Sequence, residues 1–353
     1  MRKKVINSML LIGLILFTST LIFKNSAPQQ ILEVVKRLDM AFVLCAVVSM
    51  GTYLFLEACM LDVLVNFKRR ITPFSVSIKS MFVGQFYSLI TPFASGGQPM
   101  QLISMVKDGV KATHSTAVLL NKFLYFQIGV TVFSLFLVAL EWSNILVYLT
   151  KSYGLIAIGL IFNVIGLGVL LLMVFKPSFV KTITCRLLGA LRILKVSELK
   201  IKTKQMKYVE TIDEFTHKTR CLFVDKKVVM KMSLMTLMQL TAYFGMTYFV
   251  YRAFGQQDKS FVEILALQSV LYMSISLIPT PGSTGVAEGG FFIIFNSLFP
   301  PGTVAGGVLV WRGISYYLNL LVSGLATLYI TGKNSFDANA NKQIHLINRK
   351  VAS

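Results

Sequence analysis

Residues 265–299 are apolar except at their centre, where Pro279-Thr-Pro-Gly-Ser-Thr-Gly-Val-Ala-Glu-Gly-Gly290 interrupts them. Pro279 and Pro281 cannot continue a helix, and Gly282, Gly285, Gly289 and Gly290 allow tight turns and close backbone approach. If the flanking runs lie in a membrane, backbone released from helical hydrogen bonding cannot face lipid. The break must then pack inside protein or line a wet cavity. An earlier run, Thr91-Pro-Phe-Ala-Ser-Gly-Gly-Gln-Pro99, has the same character. Whatever fold forms has to enclose two such breaks.

Composition places both at membrane depth. With 55% hydrophobic and 14% charged residues among 353, and a mean hydropathy of +0.68, the chain is too apolar for a soluble protein of this length. Its apolar runs repeatedly approach or exceed the ~20 residues a helix needs to cross a bilayer. The expected fold class is therefore an all-α polytopic membrane protein, with little room left for a soluble catalytic domain. A net charge of +20 would suggest nucleic acid in a soluble protein. Here Lys and Arg cluster between apolar runs, where membrane topology accounts for them, and no nucleic-acid partner is expected. Cys45, Cys59, Cys185 and Cys221, with His114, His217 and His345 scattered, form neither a disulfide framework nor a zinc spacing, so no metal and no cofactor is expected.

The basic residues also order the crossings. Arg2, Lys3 and Lys4 precede an apolar run over 5–23 that no small-residue cleavage site follows, which reads as a retained first helix with a cytoplasmic N-terminus. Residues 40–65 return to a basic anchor, Phe67-Lys-Arg-Arg70. Residues 116–140 and 154–175 are two further spans, joined by a short loop over 141–153 and followed by the long basic stretch 176–227, expected to be cytoplasmic. Those two spans cancel, so residues 73–111 must begin and end inside, as a broken hairpin. Residues 228–253 and 304–330 are the later spans, and the tail carries Lys333, Lys342, Arg349 and Lys350. With that tail also cytoplasmic, the second broken element, 261–300, begins and ends outside.

Span, broken hairpin and span thus occur twice in opposite orientation, the pattern of inverted-repeat transporters whose substrates bind where discontinuous helices meet. Thr91-Pro92 and Gly96 match Thr280-Pro281 and Gly285 at one offset. One residue further on, Ala117-Val-Leu-Leu-Asn-Lys122 matches Gly307-Val-Leu-Val-Trp-Arg312, with Tyr125-Phe126 and Tyr316-Tyr317 after them. The expected organisation is a first helix and external connection (1–39), a first half with two re-entrant arms around 91–99 (40–175), a basic segment (176–227), a second half broken at 279–290 (228–332) and a basic tail of disordered composition (333–353). In the basic segment Tyr208, Ile212, Phe215 and Thr219 share one helical face, which suits either a helix on the cytoplasmic leaflet or a solvated linker.

A charge at the bilayer centre costs ~2.5–3.5 kcal/mol on insertion scales, so those that persist face a partner or water. Glu57, Asp62, Lys79, Lys122, Glu263, Glu288 and Arg312 are the candidates. Glu288 ends the second break and Arg312 sits on the helix after it, so the two are expected to meet, directly or across substrate. Asp62 and Lys79 fall near an interface. Helices restarting after the breaks offer free N–H groups and positive dipole ends that favour an anion such as a lipid phosphate. Gly96, Gly97, Pro281, Gly282 and Gly285 would shape that site, with Gln98 and Gln101 as neutral donors. The alternative role for these glycines is close helix packing. No GxSxG, HExxH or Walker loop is present, and no nucleophile constellation is visible.

The two broken segments, together with Trp311-Arg312 through Tyr316-Tyr317, resemble the lysylphosphatidylglycerol synthase transmembrane family over nearly the whole chain to about Gly332. That family includes the flippase region of bacterial lipid-aminoacylating proteins and many stand-alone relatives. The resemblance implies a bacterial plasma-membrane protein that flips or handles an anionic or aminoacylated phospholipid or a glycolipid, in some members conferring resistance to cationic antimicrobial peptides. Arg312 and Lys122 would attract the phosphate, Glu288 would balance charge or read a cationic headgroup, and Tyr316 would line the same site. An alternative is the membrane component of a phosphatidylglycerol lysyltransferase, whose catalysis belongs to a soluble acyltransferase-like domain. A homo-oligomer or a separate lipid-modifying enzyme are the protein partners left open.

Overall fold

The computed structural model describes residues 37–149 apart from 68, most of 161–190, a few positions between 202 and 213, residues 225–276 and residues 280–332. The expected first span, Pro279, most of the 154–175 span and the 176–227 segment, and the tail lie outside the described residues. Among the described residues the chain is helical, with no strand.

In chain order the helices are α1 (Met40–Val65), α2 (Phe74–Ile90), α3 (Gly97–Lys107), α4 (Ala112–Leu140), α5 (Trp142–Leu149), α6 (Pro177–Ala190), α7 (Lys226–Ala253), α8 (Phe261–Ile275) and α9 (Val286–Phe295). A last helix, α10 (Val304–Gly332), runs through a π-helical stretch at Gly313–Leu318. Start signals are local: Asp39 caps α1, Asp225 caps α7 and Ser260 caps α8, each accepting a bond from an N–H of the first turn. The loop expected over 141–153 contains α5, because nothing in Trp142–Leu149 breaks a helix.

Three helices, α1, α4 and α10, are long and apolar enough to cross a bilayer. Their outward faces are greasy: Met40, Leu44, Val48 and Phe55 on α1, Val132, Phe136 and Leu140 on α4, and Leu321, Leu325 and Leu328 on α10 are all exposed. Exposed apolar stripes of this extent need a partner other than water, and a lipid surround supplies it. The chain is a membrane protein. α7 is as long as these helices and packs along α1, where Ser49 donates to the Ala242 carbonyl at 2.7 Å.

α2 and α3 fold back on each other as a helical hairpin. Lys79 pairs with Asp108 at 3.2 Å and Ser80 donates to the Gln101 carbonyl at 3.3 Å. A Cβ on Gly97 would sit 1.9 Å from Ser88 Oγ, so only glycine lets the arms approach this closely at the bend. Pro99, expected to stop a helix, lies in the first turn of α3, where its missing N–H costs nothing. The break is accordingly shorter than the motif, ending at Gly96. α8 and α9 form a second hairpin of the same kind, where Gly290 meets Leu271.

Both bends carry the same turn. Thr91 is extended (φ −116°, ψ 144°) and Phe93 is left-handed (φ 55°, ψ 19°); Thr280 is extended (φ −107°, ψ 145°) and Gly282 left-handed (φ 58°, ψ 21°). Ala94 N–H bonds the Thr91 carbonyl at 3.2 Å and Ser95 N–H the Pro92 carbonyl at 3.1 Å, as Ser283 bonds Thr280 at 3.0 Å and Thr284 bonds Pro281 at 3.1 Å. Thr-Pro thus opens the same turn twice, and the two backbones part after it: Gly96 is right-handed (φ −78°, ψ −20°) and Gly285 has a positive φ (84°, ψ −46°). The two turns pack against each other, and α10 runs beside α2, with Tyr316 Oη donating to the Leu89 carbonyl at 3.4 Å.

Candidate functional site

Stacking sets the register of the second break. Phe291 lies face to face with Trp311 at 4.9 Å and with Phe295 at 4.5 Å. Glu288 is one turn before Phe291, and Arg312 follows Trp311, so this aromatic stack brings the two charges together. Arg312 Nε donates to Glu288 Oε1 at 2.7 Å, and Arg312 Nη2 donates to the Gly282 carbonyl at 2.9 Å. The other carboxylate oxygen of Glu288 accepts from the Gly285 N–H at 2.6 Å. The guanidinium lies 5.0 Å from the Tyr316 ring centroid, a cation–π contact that strengthens when desolvated. Arg312 is 5% exposed.

Gly282 is constrained twice. Its φ of 58° is in the left-handed region, and a Cβ there would come 2.1 Å from the Tyr316 ring. The π-helical stretch begins directly after Arg312 and carries Tyr316. An extra residue in a helical turn reorients the side chains beyond it, and such stretches often occur at functional sites.

Lys122 occupies a second buried centre. Its ammonium pairs with Glu57 of α1 and donates to Gln101 Oε1 of α3 at 3.3 Å. Gln239 of α7 donates to the free oxygen of Glu57 at 3.0 Å. This cluster fastens α1, α3, α4 and α7 together. Both Glu57 and Lys122 are buried, so each charge depends on the other.

The predicted residues thus divide into groups. Arg312, Glu288, Gly282, Gly285 and Tyr316 meet at the second break, and Pro281 forms its turn. Lys122 and Gln101 meet elsewhere. Gly96 and Gly97 join the first bend, and Gln98 sits half-buried in the first turn of α3 with no hydrogen bond among the described residues. Asp62 accepts from Asn66 at 3.1 Å, and Glu263 pairs with Lys259 at 3.3 Å.

Several polar groups were not singled out by the sequence. Gln239 has no local signal at all. Tyr53, one turn before Glu57, meets Tyr243 in a tilted contact at 5.0 Å, and Tyr243 meets Tyr272 at 5.8 Å. Asn163 accepts from Gln127 at 2.8 Å and donates to Ser276 at 3.2 Å, holding the end of α8 just before the break. Thr280 Oγ1, Trp311 Nε1 and Ser315 Oγ, on the second turn and beside Arg312 in sequence, are buried with no hydrogen-bond partner among the described residues. Each such group costs about 1–3 kcal/mol unless water or a ligand satisfies it.

Residues 5–323 match the model of the lysylphosphatidylglycerol synthase TM region. A UPF0104 membrane protein of Archaeoglobus fulgidus is similar at 24% identity over 326 residues, 91% of this chain and 96% of that protein.

Proposed function

The chain belongs to the lysylphosphatidylglycerol synthase TM family, and from that premise we propose that it carries a phospholipid or glycolipid headgroup across the membrane at the meeting point of the two breaks. In this reading the hairpins α2–α3 and α8–α9 are re-entrant, enter from opposite leaflets and form an inverted repeat, with the plasma membrane as the site of action and the substrate anionic or aminoacylated. The observation that carries the proposal is the contact between two turns that open alike, with Arg312 bonded to the second of them.

The chemistry follows from that setting. Arg312 offers a planar, permanently charged fork suited to a phosphate. Glu288 neutralises it while the site is empty, and a phosphate that enters displaces one acidic partner by another. The exchange avoids exposing a bare buried cation at any stage. Glu288, once released, can receive an amino group on the headgroup.

Reconstitution tests this directly. In liposomes with labelled lipid, leaflet exchange by the wild-type chain is expected, together with its loss in Arg312→Ala and Glu288→Gln. Exchange unchanged by both substitutions would refute the site. Formation of lysylphosphatidylglycerol from phosphatidylglycerol and charged tRNA by the purified chain would instead establish a transferase.

A further inference from the structure

A basic cleft and an apolar groove lie on the outside of the α1–α7 pair. The cleft, about 380 Å³, is lined by Asp62, Asn66, Phe67 and Arg70 at the end of α1 and by Lys227 and Lys231 of α7. The groove, about 390 Å³, is lined by Leu44, Val48 and Thr52 of α1 with Ala242 and Phe249 of α7. Leu44 and Asp62 are separated by about five helical turns, so they leave α1 in the same direction about 27 Å apart. Between cleft and groove the surface is apolar, with Phe55, Leu234 and Met238 exposed.

The charges of the cleft are unbalanced. Asp62 already accepts hydrogen bonds from Asn66 Nδ2 at 3.1 Å and Ser77 Oγ at 3.4 Å. Among the described residues, no carboxylate forms an ion pair with Arg70, Lys227 or Lys231. Three cations against one carboxylate leave the cleft net positive, and a net positive charge at one end of an apolar seam fits an amphiphile with an anionic head. A soluble anion would make no use of the seam. The spacing also fits: Thr52, the near end of the groove, is about 15 Å along α1 from Asp62, the depth of one leaflet of hydrocarbon.

We propose that the α1–α7 face binds an anionic phospholipid, its phosphate held by Arg70, Lys227 and Lys231 and one acyl chain laid along Phe55, Leu234 and Met238 into the groove. This site is separate from the Arg312–Glu288 pair at the second break. It faces the bilayer directly, and its occupant would brace the α1–α7 pair that carries Glu57 and Gln239.

Native mass spectrometry of the full chain in detergent, titrated with phosphatidylglycerol, phosphatidylcholine and inorganic phosphate, tests the proposal. Phosphatidylglycerol should bind more tightly than phosphatidylcholine. Lys227→Gln and Lys231→Gln should each weaken it about five-fold, and together about 25-fold, with phosphatidylcholine and the melting temperature unchanged. Leu234→Asn, at an exposed position, should weaken both lipids. Phosphatidylglycerol affinity unchanged in the double lysine variant would overturn the site. Phosphate binding as tight as the lipid, lost in the same variant, would overturn the lipid as its occupant in favour of a free anion.

Discussion

The two breaks share a turn and differ in how it is secured. At the first, the Thr91 hydroxyl donates to the Tyr87 carbonyl at 2.6 Å and accepts from the Gly96 N–H at 2.9 Å. The equivalent Thr280 hydroxyl is buried without a partner among the described residues, and the Gly285 N–H is taken by Glu288. Cap and charge are therefore separate at the first break, where Lys122 and Glu57 sit in a different cluster. At the second break they are one residue, since Glu288 both caps the turn and holds Arg312. In the proposed function a ligand that captures Arg312 would take it from both Glu288 and the Gly282 carbonyl, two contacts of the second turn, whereas a change at Lys122 leaves the first turn closed. Under the proposed function the second break is therefore the one that responds to a ligand.

Substitutions can break or sharpen this contrast. The largest effect belongs to the ion pairs: Glu288→Ala, Arg312→Ala and Lys122→Met should each cost about 3–5 kcal/mol in detergent unfolding, because each strands a buried charge. Glu288→Ala should also speed amide exchange at Gly285, while Lys122→Met should leave Gly96 protected. Equal deprotection of both turns would erase the distinction. Pairing Lys122→Met with Glu57→Leu should recover only part of the lost stability, since it removes the stranded charge but leaves the buried Gln101 and Gln239 without their partners.

Backbone effects come next. Gly282→Ala should cost about 1–3 kcal/mol through its left-handed φ and the Tyr316 ring. The reciprocal Phe93→Gly, at an exposed residue with φ 55°, should shift stability by less than about 1 kcal/mol. The hydroxyls give the smallest signal. Thr91→Val should lose about 1 kcal/mol with its cap, and Thr280→Val should be neutral or slightly stabilising because it removes an unsatisfied group. Equal costs at the two threonines would show that the turns are capped alike after all.

Both breaks were legible in the sequence because proline, glycine and threonine fix backbone shape locally. The pairing of Glu288 with Arg312 was also legible, since two lone charges flank one break. The partners of Lys122 were not. Glu57 reaches it from one distant helix while Gln239, from another, holds Glu57, and a membrane helix is apolar on all faces, so periodicity does not reveal its neighbours. The π-helical stretch after Arg312 leaves no compositional mark. The extent of the first break was misjudged at Pro99 because proline signals a stop only beyond the first turn of a helix.

The central proposal is that the two hairpins enter from opposite leaflets and enclose one polar pocket. Impermeant thiol labelling of oriented vesicles, with Lys107→Cys or Gln257→Cys introduced singly into a cysteine-free chain, tests it most directly. Labelling of the two positions from opposite sides of the membrane is the predicted result. Labelling of both from the same side would contradict the inverted arrangement and the route across the membrane that depends on it.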